Sequence, residues 1–516
     1  MSYQIHYTAK DVEQALADFN HPPQFTFGVS TAGYQVEGGF NGLDEPKNNW
    51  YLPESRARVE RTGPASRFRE LYPGDIQRAA SLGCTGFRLG IEWARLQPGL
   101  DPHSSATPGF SMAAAEEYAR IIATVFEHGM TPAVTLHHFT HPLWAGAGFW
   151  LNRARVFELF PLYVEFAVRE INRILTEELG QPPIPYYITI NEPAMVPLQT
   201  FVTGLFPAEM PRGLRPALLC YENMLIGHVL AYRTVHRIYH DRGWPAPTVT
   251  LNTWAASLYV LDKLAQDLLL ARRNGIGRSE VRTYLGEQRL MFQSQMQQAR
   301  HVRPPRGAKR LLERTVDAAL WTALGPDPFS GLVDLIYDGG EPDVLDAVSF
   351  DYYDPFLANN LDFAFPRLLR IRRQPWTWNL VPQYLGLFLD AYSWTARGLP
   401  IHILENGMSY RGIGRRCWPR EDGARRDQAL TAMLFEVVRA ISQGIDLRGY
   451  YYWSLIDNYE WGSFEPRFGL YGVDYRNGAR RLTTDIMGTP AADTYRALIH
   501  AFHSGDTDAL RNALLP

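Results

Sequence analysis

The sequence predicts an α/β fold, a closed parallel (β/α)8 TIM barrel with inserted loops over its carboxyl-terminal face. Three observations predict it. Short apolar, β-rich runs recur eight times, longer segments of helical periodicity separate them, and several runs end in a polar or charged residue. The first two imply repeated βαβ units. The third fits a fold whose strand ends all open on one face. An open doubly wound sheet is the rival arrangement of the same alternation.

The expected strands are "FTFGVST" (25–31), "TGFRLGIEW" (85–93), "PAVTLHHF" (132–139), "YYITINEP" (186–193), "TVTLNTW" (248–254), "DAVSFDYY" (346–353), "IHILENG" (401–407) and "GYYYWSLID" (449–457). Between them, Tyr118, Ile121, Ile122, Val125 and Phe126 share one helical face before Gly129. Leu430, Leu434, Val437 and Ile441 do the same before Gly444. The stretch from 254 to 346 is long for one connection, so an insertion is expected over the barrel there. No repeat or linker divides the chain, and residues 1–516 are read as one domain.

Composition bounds the function. With 51 basic and 54 acidic residues, the formal net charge of −3 leaves no footprint for nucleic acid or an anionic membrane. Three distant cysteines, Cys84, Cys220 and Cys417, form neither a disulfide framework nor a cysteine zinc site. The amino terminus lacks a basic segment followed by an apolar run, and no apolar stretch has membrane-spanning length. A soluble cytoplasmic protein is the expectation, its oligomeric state open. Aromatic residues make up 13% of the chain, a surplus that can line a pocket as well as fill a core.

The strand ends carry the chemistry. Arg88 lies in the second run, His138 near the end of the third, and Asn191 and Glu192 end the fourth. Tyr353 ends the sixth and Glu405 the seventh, while Glu460 and Trp461 follow the eighth. In a parallel barrel these side chains converge, so Glu192 and Glu405 meet although they are far apart in sequence. Two converging carboxyls suit glycosidic bond cleavage: one attacks the anomeric carbon and the other protonates the departing oxygen. Arg88 would keep one ionised, and repulsion would raise the pKa of the other. The "HHFTH" run (137–141) suggests a metal, but adjacent strand residues point to opposite faces, so His137 and His138 cannot share an ion. No metal and no cofactor is expected. Tyr450, Tyr451 and Tyr452 are read as barrel core.

These motifs resemble glycoside hydrolase family 1, the β-glucosidase and β-galactosidase family. "TINEP" (189–193) is similar to its T-[FL]-N-E-P acid/base motif and "ILENG" (403–407) to its I-T-E-N-G nucleophile motif, with leucine in place of threonine. "FGVSTAGYQVEG" (27–38) and "GYYYWSLIDNYEWGSFEPRFGLYGVDY" (449–475) are similar to the opening strand and to the closing strand and loop. Motifs span residues 24 to 475 in family order, leaving a C-terminal helix and tail over 476–516. The resemblance implies Glu192 as general acid/base and Glu405 as nucleophile of a retaining mechanism, with Arg88 and Tyr353 holding Glu405. It implies Gln35, His138, Asn191, Glu460 and Trp461 as contacts to the non-reducing sugar and Trp453 as its stacking floor. The expected partner is a small-molecule β-glycoside.

Some positions depart from the family pattern. Asp351 occupies the asparagine of N-Y-Y, Phe139 a tryptophan, and Thr140 the aspartate after it. The basic, apolar segment 361–379 reads as a loop cover or as the rim of an aglycone site. The serine–lysine–tyrosine pattern of the phospho-glycosidases is missing after the eighth strand, and Arg467 is the one cation in "NYEWGSFEPRFG" (458–469) that could serve a phosphate. The sequence thus points to a retaining exo-acting β-glycosidase for glucosides, galactosides or fucosides. The alternatives are a transglycosidase using the same site, a 6-phospho-β-glycosidase and a catalytically weak sugar-binding protein.

Overall fold

In the computed structural model all eight expected strands form, and they close on themselves in sequence order. They are β1 (Thr26–Ser30), β2 (Gly86–Gly90), β3 (Thr131–Thr135), β4 (Tyr186–Asn191), β5 (Thr248–Trp254), β6 (Val348–Tyr352), β7 (Ile401–Asn406) and β8 (Leu447–Trp453). Each pairs in parallel with its neighbours, and the β1–β8 ladder, running from Thr26↔Gly449 to Ser30↔Trp453, closes the ring. The arrangement is a (β/α)8 barrel; the open sheet is excluded. The structure describes residues 3–22, 24–207, 212–298, 308–356, 361–364, 367–371, 374–414 and 416–515.

Alternation along β8 explains the barrel's filling. Tyr451 points inward, where it packs with Ala133, Ile188 and Leu404 from three other strands. Gly28 and Gly86 make room for it: a Cβ on Gly28 would lie 2.3 Å from the Tyr451 ring, and one on Gly86 2.6 Å from its hydroxyl. Tyr450 and Tyr452 point outward against Tyr495, and the Tyr450 hydroxyl donates to Asn406 Oδ1 at 2.8 Å. All three tyrosines are core, as expected.

The two helices read from periodicity form as Met112–Glu127 and Arg426–Ser442. The chain leaves each through a glycine of positive φ, Gly129 at 72° and Gly444 at 87°. The long connection between β5 and β6 differs from expectation. It is helical (Lys263–Leu270, Val281–Gln298, Ala308–Ala323, Ser330–Asp338), and its first and last helices pack beside the barrel against neighbouring outer helices. The middle pair, like the first helix, also lies against the Tyr259–Leu261 turn that follows β5. The C-terminal region holds two helices rather than one, Ala491–His503 and Thr507–Leu514, and the Tyr495 hydroxyl caps the Gly28 carbonyl of β1 at 2.8 Å. In the segment 361–379, Leu361–Ala364 and Arg367–Ile371 pair as antiparallel strands. The side chains of that hairpin lie outside the described residues, while residues 374–378 of the same segment border the cavity described below. Among the described residues no helix is long and apolar enough to cross a membrane.

Candidate active site

The carboxyl ends of β2, β4, β6 and β7 bring the predicted polar residues together beneath a cavity of about 310 Å3. Gln35, His138, Glu192, Tyr353, Glu405, Trp453, Glu460 and Trp461 line it. Arg88 and Asn191 lie below, both wholly buried. All ten expected site residues therefore gather at one end of the barrel.

Glu405 is the most restrained of the carboxylates. Arg88 Nη1 donates to its Oε1 at 2.6 Å and the Tyr353 hydroxyl to its Oε2 at 3.0 Å. Arg88 is itself fixed by Thr135, 3.0 Å from Nε, and by Asn191, 2.5 Å from Nη2. Gly407, two residues on, is required by close approach, since a Cβ there would sit 2.0 Å from the Trp453 carbonyl oxygen. Glu192 follows β4, its N–H bonded to the Asn252 carbonyl at 2.9 Å. Its φ of 39° lies in the left-handed region, which costs a side-chain-bearing residue on the order of 1–3 kcal/mol. The surrounding ladder offsets that strain and aims the carboxyl at Glu405. One oxygen each of Glu192, Glu405 and Asp351 lies within 4.8 Å of the others.

Burial dominates the electrostatics. It pushes Glu192 well above the usual carboxylate range, and the neighbouring Glu405 adds to the rise while Arg88 opposes it. Glu405 is also raised by burial, against the pull of Arg88 and the Tyr353 hydrogen bond. Arg88 and Tyr353 favour the Glu405 anion, and burial outweighs them in the net direction of the shift. Glu405 nonetheless has the guanidinium and phenol bonds, so it ionises before Glu192. Burial holds His138 well below the usual imidazole range, hence neutral, and its Nε2 faces Asn191 Nδ2 at 3.4 Å. Glu460 is pushed up to about 8 by burial, partly offset by the Trp453 indole N–H, which donates to it at 2.8 Å.

The remaining lining is aromatic and polar. His138 stacks on Trp453 with ring centroids 5.7 Å apart and planes 16° from parallel. The Gln35 amide donates to the Tyr459 carbonyl at 2.9 Å and to Asn458 Oδ1 at 3.2 Å, leaving its buried Oε1 unpartnered. Trp254, Trp376 and Trp378 form the outer wall. His137 points the other way, edge-on to Trp150 at 5.0 Å, and His141 contacts the Gly146 carbonyl at 3.2 Å. The histidine run is thus split between core and pocket. Among the described residues, Glu192, Asp351 and Glu405 are the group spaced closely enough to hold a cation, and Arg88 already brings positive charge to it.

Arg467, the one cation of the closing loop, is not among the residues lining the cavity. It is 2% exposed and pairs with Asp457 at 3.3 Å while its guanidinium lies 4.7 Å over Tyr475. Asn252 was missed. Its Nδ2 donates to Asn191 Oδ1 at 2.7 Å and to Asp351 Oδ2, linking β4, β5 and β6. The signal was available: Asn252 is a polar residue near the end of an apolar strand.

Comparisons with known proteins agree with this geometry. A profile described as Glycosyl hydrolase family 1 matches residues 18–275 and 365–486. A 6-phospho-beta-galactosidase 1 of Streptococcus pneumoniae serotype 4 is 27% identical over 487 residues, covering 90% of this chain and 96% of that protein. A 6-phospho-beta-galactosidase of Staphylococcus aureus is 25% identical over 479 residues, covering 89% and 95%. Among solved structures, a beta-glycosidase from Pyrococcus horikoshii has a TM-score of 0.66 at 23% identity, covering 96% of this chain and 99% of that one. A beta-glucosidase from Thermotoga maritima, in complex with noeuromycin, has a TM-score of 0.65 at 20% identity, covering 93% and 98%. The fold and its relatives define a glycosidase. The chain belongs to glycosyl hydrolase family 1. The stretch between the two matched ranges, 276–364, contains the last three of the four helices between β5 and β6 as well as Asp351 and Tyr353.

Proposed function

We propose that this protein is a retaining exo-acting β-glycosidase that releases the non-reducing terminal β-D-glucosyl residue of small glycosides, with room for galactosyl or fucosyl. The observation that carries the reading is the approach of Glu192 and Glu405 carboxyl oxygens to within 4.8 Å across an open cavity. Retaining enzymes hold their carboxyls about 5–5.5 Å apart, whereas inverting ones leave about 6.5–9.5 Å for a water. In the first step a Glu405 oxygen forms a bond to the anomeric carbon while the glycosidic C–O bond breaks and Glu192 gives its proton to the leaving oxygen. In the second, Glu192 takes a proton from water, whose oxygen displaces Glu405. Gln35, His138, Asn191, Glu460 and Trp461 grip the sugar over Trp453. These steps need no cofactor. With an alcohol or sugar in place of water, the same site transglycosylates.

A second reading comes from the curated relatives, named as 6-phospho-β-galactosidases. A phosphate carries a charge of about −1.5 to −2 and calls for cationic donors. Among the described residues that line the cavity there is no lysine or arginine. Arg467 is committed to Asp457, and Arg411, stacked on Trp376 at the rim, to Glu465 at 3.0 Å. Glu460 lines the cavity, accepts the Trp453 indole N–H, and offers acceptor oxygens to sugar hydroxyls rather than a cation to a phosphate. These features favour the unphosphorylated sugar. A comparison of kcat/KM for nitrophenyl β-glucoside, galactoside and fucoside with that for the 6-phosphates decides it: preference for a 6-phosphate overturns this reading. A cytoplasmic setting is proposed too, supported by three free cysteines.

A further inference from the structure

The two glutamates and their partners leave Asp351 unexplained. It lies on β6 in direct register with Glu405 on β7 and is wholly buried. Its Oδ2 accepts from Asn252, and its Oδ1 is buried without a hydrogen-bond donor. One of its carboxyl oxygens lies within 4.8 Å of an oxygen of Glu192 and of Glu405. Three buried carboxyls thus cluster around one guanidinium, that of Arg88, which is bonded to Glu405. Three negative charges against one positive charge cannot be held in so buried a space, and a proton is the remaining way to neutralise the excess. Two carboxylates cannot hydrogen-bond each other unless one carries a proton.

We propose that Asp351 carries a proton in the resting site and donates it through Oδ1 to Glu192, so that the two carboxyls work as one proton-sharing pair. The proposal rests on the reading of Glu192 as the acid/base, and it makes Asp351 a positioning residue rather than a group that touches substrate. When Glu192 releases its proton to the leaving oxygen, the Asp351 O–H remains to hydrogen-bond the new carboxylate. When water attacks, its proton returns to the pair, and the count of protons is restored. The titratable groups around Asp351 are Arg88 from β2, Glu192 after β4, Tyr353 after β6, Glu405 from β7 and Tyr392 from the helix Leu385–Ala396. Glu460, in the loop after β8, acts on the pair through Glu192. Burial and the neighbouring carboxyls raise Asp351 well above its ordinary range, in keeping with a retained proton.

The test is the pH profile of kcat/KM for Asp351→Asn, a variant that keeps the shape and can still donate to Glu192. A protonated Asp351 is uncharged, as asparagine is, so the alkaline limb should stay within about half a pH unit; an ionised Asp351 would instead be raising Glu192, and its removal would bring the limb down by about one unit or more. The acid limb, set by Glu405, should stay in place. Difference infrared spectra of the resting protein at neutral pH should show the loss of one protonated-carboxyl band. If Asp351→Asn does not fold, Asp351→Ser is read by the same two measurements. An alkaline limb that falls by about one pH unit or more, an acid limb that moves with it, or loss of a carboxylate band instead would each overturn the proposal. Glu192→Gln separates the two ideas with an activated substrate. If it leaves the alkaline limb standing, the assignment of Glu192 fails; if it removes the limb while Asp351→Asn lowers it, only the pairing fails.

Discussion

Arg88 donates to Glu405 at 2.6 Å, joining β2 to β7 across the floor of the cavity with both side chains buried. Such a buried pair is poor evidence of stability, because desolvating both ions costs about as much as their attraction returns. Its consequence is for ionisation. Arg88 supplies the charge that opposes burial at Glu405.

Replacing Arg88 by Gln should therefore raise the Glu405 pKa further. Activity needs Glu405 ionised, so the acid limb of the pH profile should move to higher pH, and the pH range of activity should narrow from below. Loss of one preorganised charge of this kind commonly costs about 10²–10³-fold in kcat. An acid limb that stays in place in Arg88→Gln would mean that another group sets it.

Glu192 predicts a dependence on leaving group. Glu192→Ala should lose about 10²–10⁴-fold with poorly departing alcohols, the usual contribution of a general acid. With a dinitrophenyl leaving group, which departs without a proton, the first step should remain fast. Measuring the rate across leaving groups of graded acidity checks this, and equal loss across the series would sink the assignment.

The same carboxyl predicts a gain in stability. Its folded pKa is raised well above the unfolded value, so the native state binds the proton more tightly. The stability this contributes is fully present below the unfolded pKa of about 4.3 and is lost as pH rises through the folded pKa. Each unit of difference is worth about 1.4 kcal/mol. Glu192→Gln should remove that loss, so at alkaline pH its Tm should exceed the wild type's, with the gap closing toward pH 4. Calorimetric melts across pH check it; a gap independent of pH would contradict the linkage.

Barrel filling yields a structural prediction. Gly28→Ala places a methyl 2.3 Å from the Tyr451 ring inside the barrel. Overpacking of that kind costs about 1–3 kcal/mol, read from chemical denaturation. Gly28→Ala with Tyr451→Phe should not recover it, since the clash is with the ring; Gly28→Ala with Tyr451→Leu should recover part.

The eight strands were legible because a parallel barrel buries both faces of each strand, which writes unbroken apolar runs into the sequence. Eight of the candidate site residues were legible because a polar or aromatic group at such a run's end stands out, while Gln35 and Trp453 came only from the family resemblance. Asp351 stood out as a departure from the family pattern but without a role, and Asn252, which shows the same strand-end mark, was passed over. The placement of the helices between β5 and β6 was not legible. Periodicity is local, whereas packing against the flanking barrel helices is set by contacts far apart in sequence. The net direction of the Glu405 shift was hidden for a similar reason, since it depends on burial, which only the assembled fold fixes.

The central claim, that Glu405 attacks the sugar, is most directly tested by trapping its covalent intermediate. A 2-deoxy-2-fluoro-β-glucosyl fluoride slows both steps, and the second more when the leaving group is good, so the glycosyl-enzyme accumulates. Intact mass followed by peptide mapping should find one sugar per chain, attached to Glu405, and Glu405→Ala should take up none. A label on Glu192 or Asp351, or inhibition with no covalent mass added, would contradict the account.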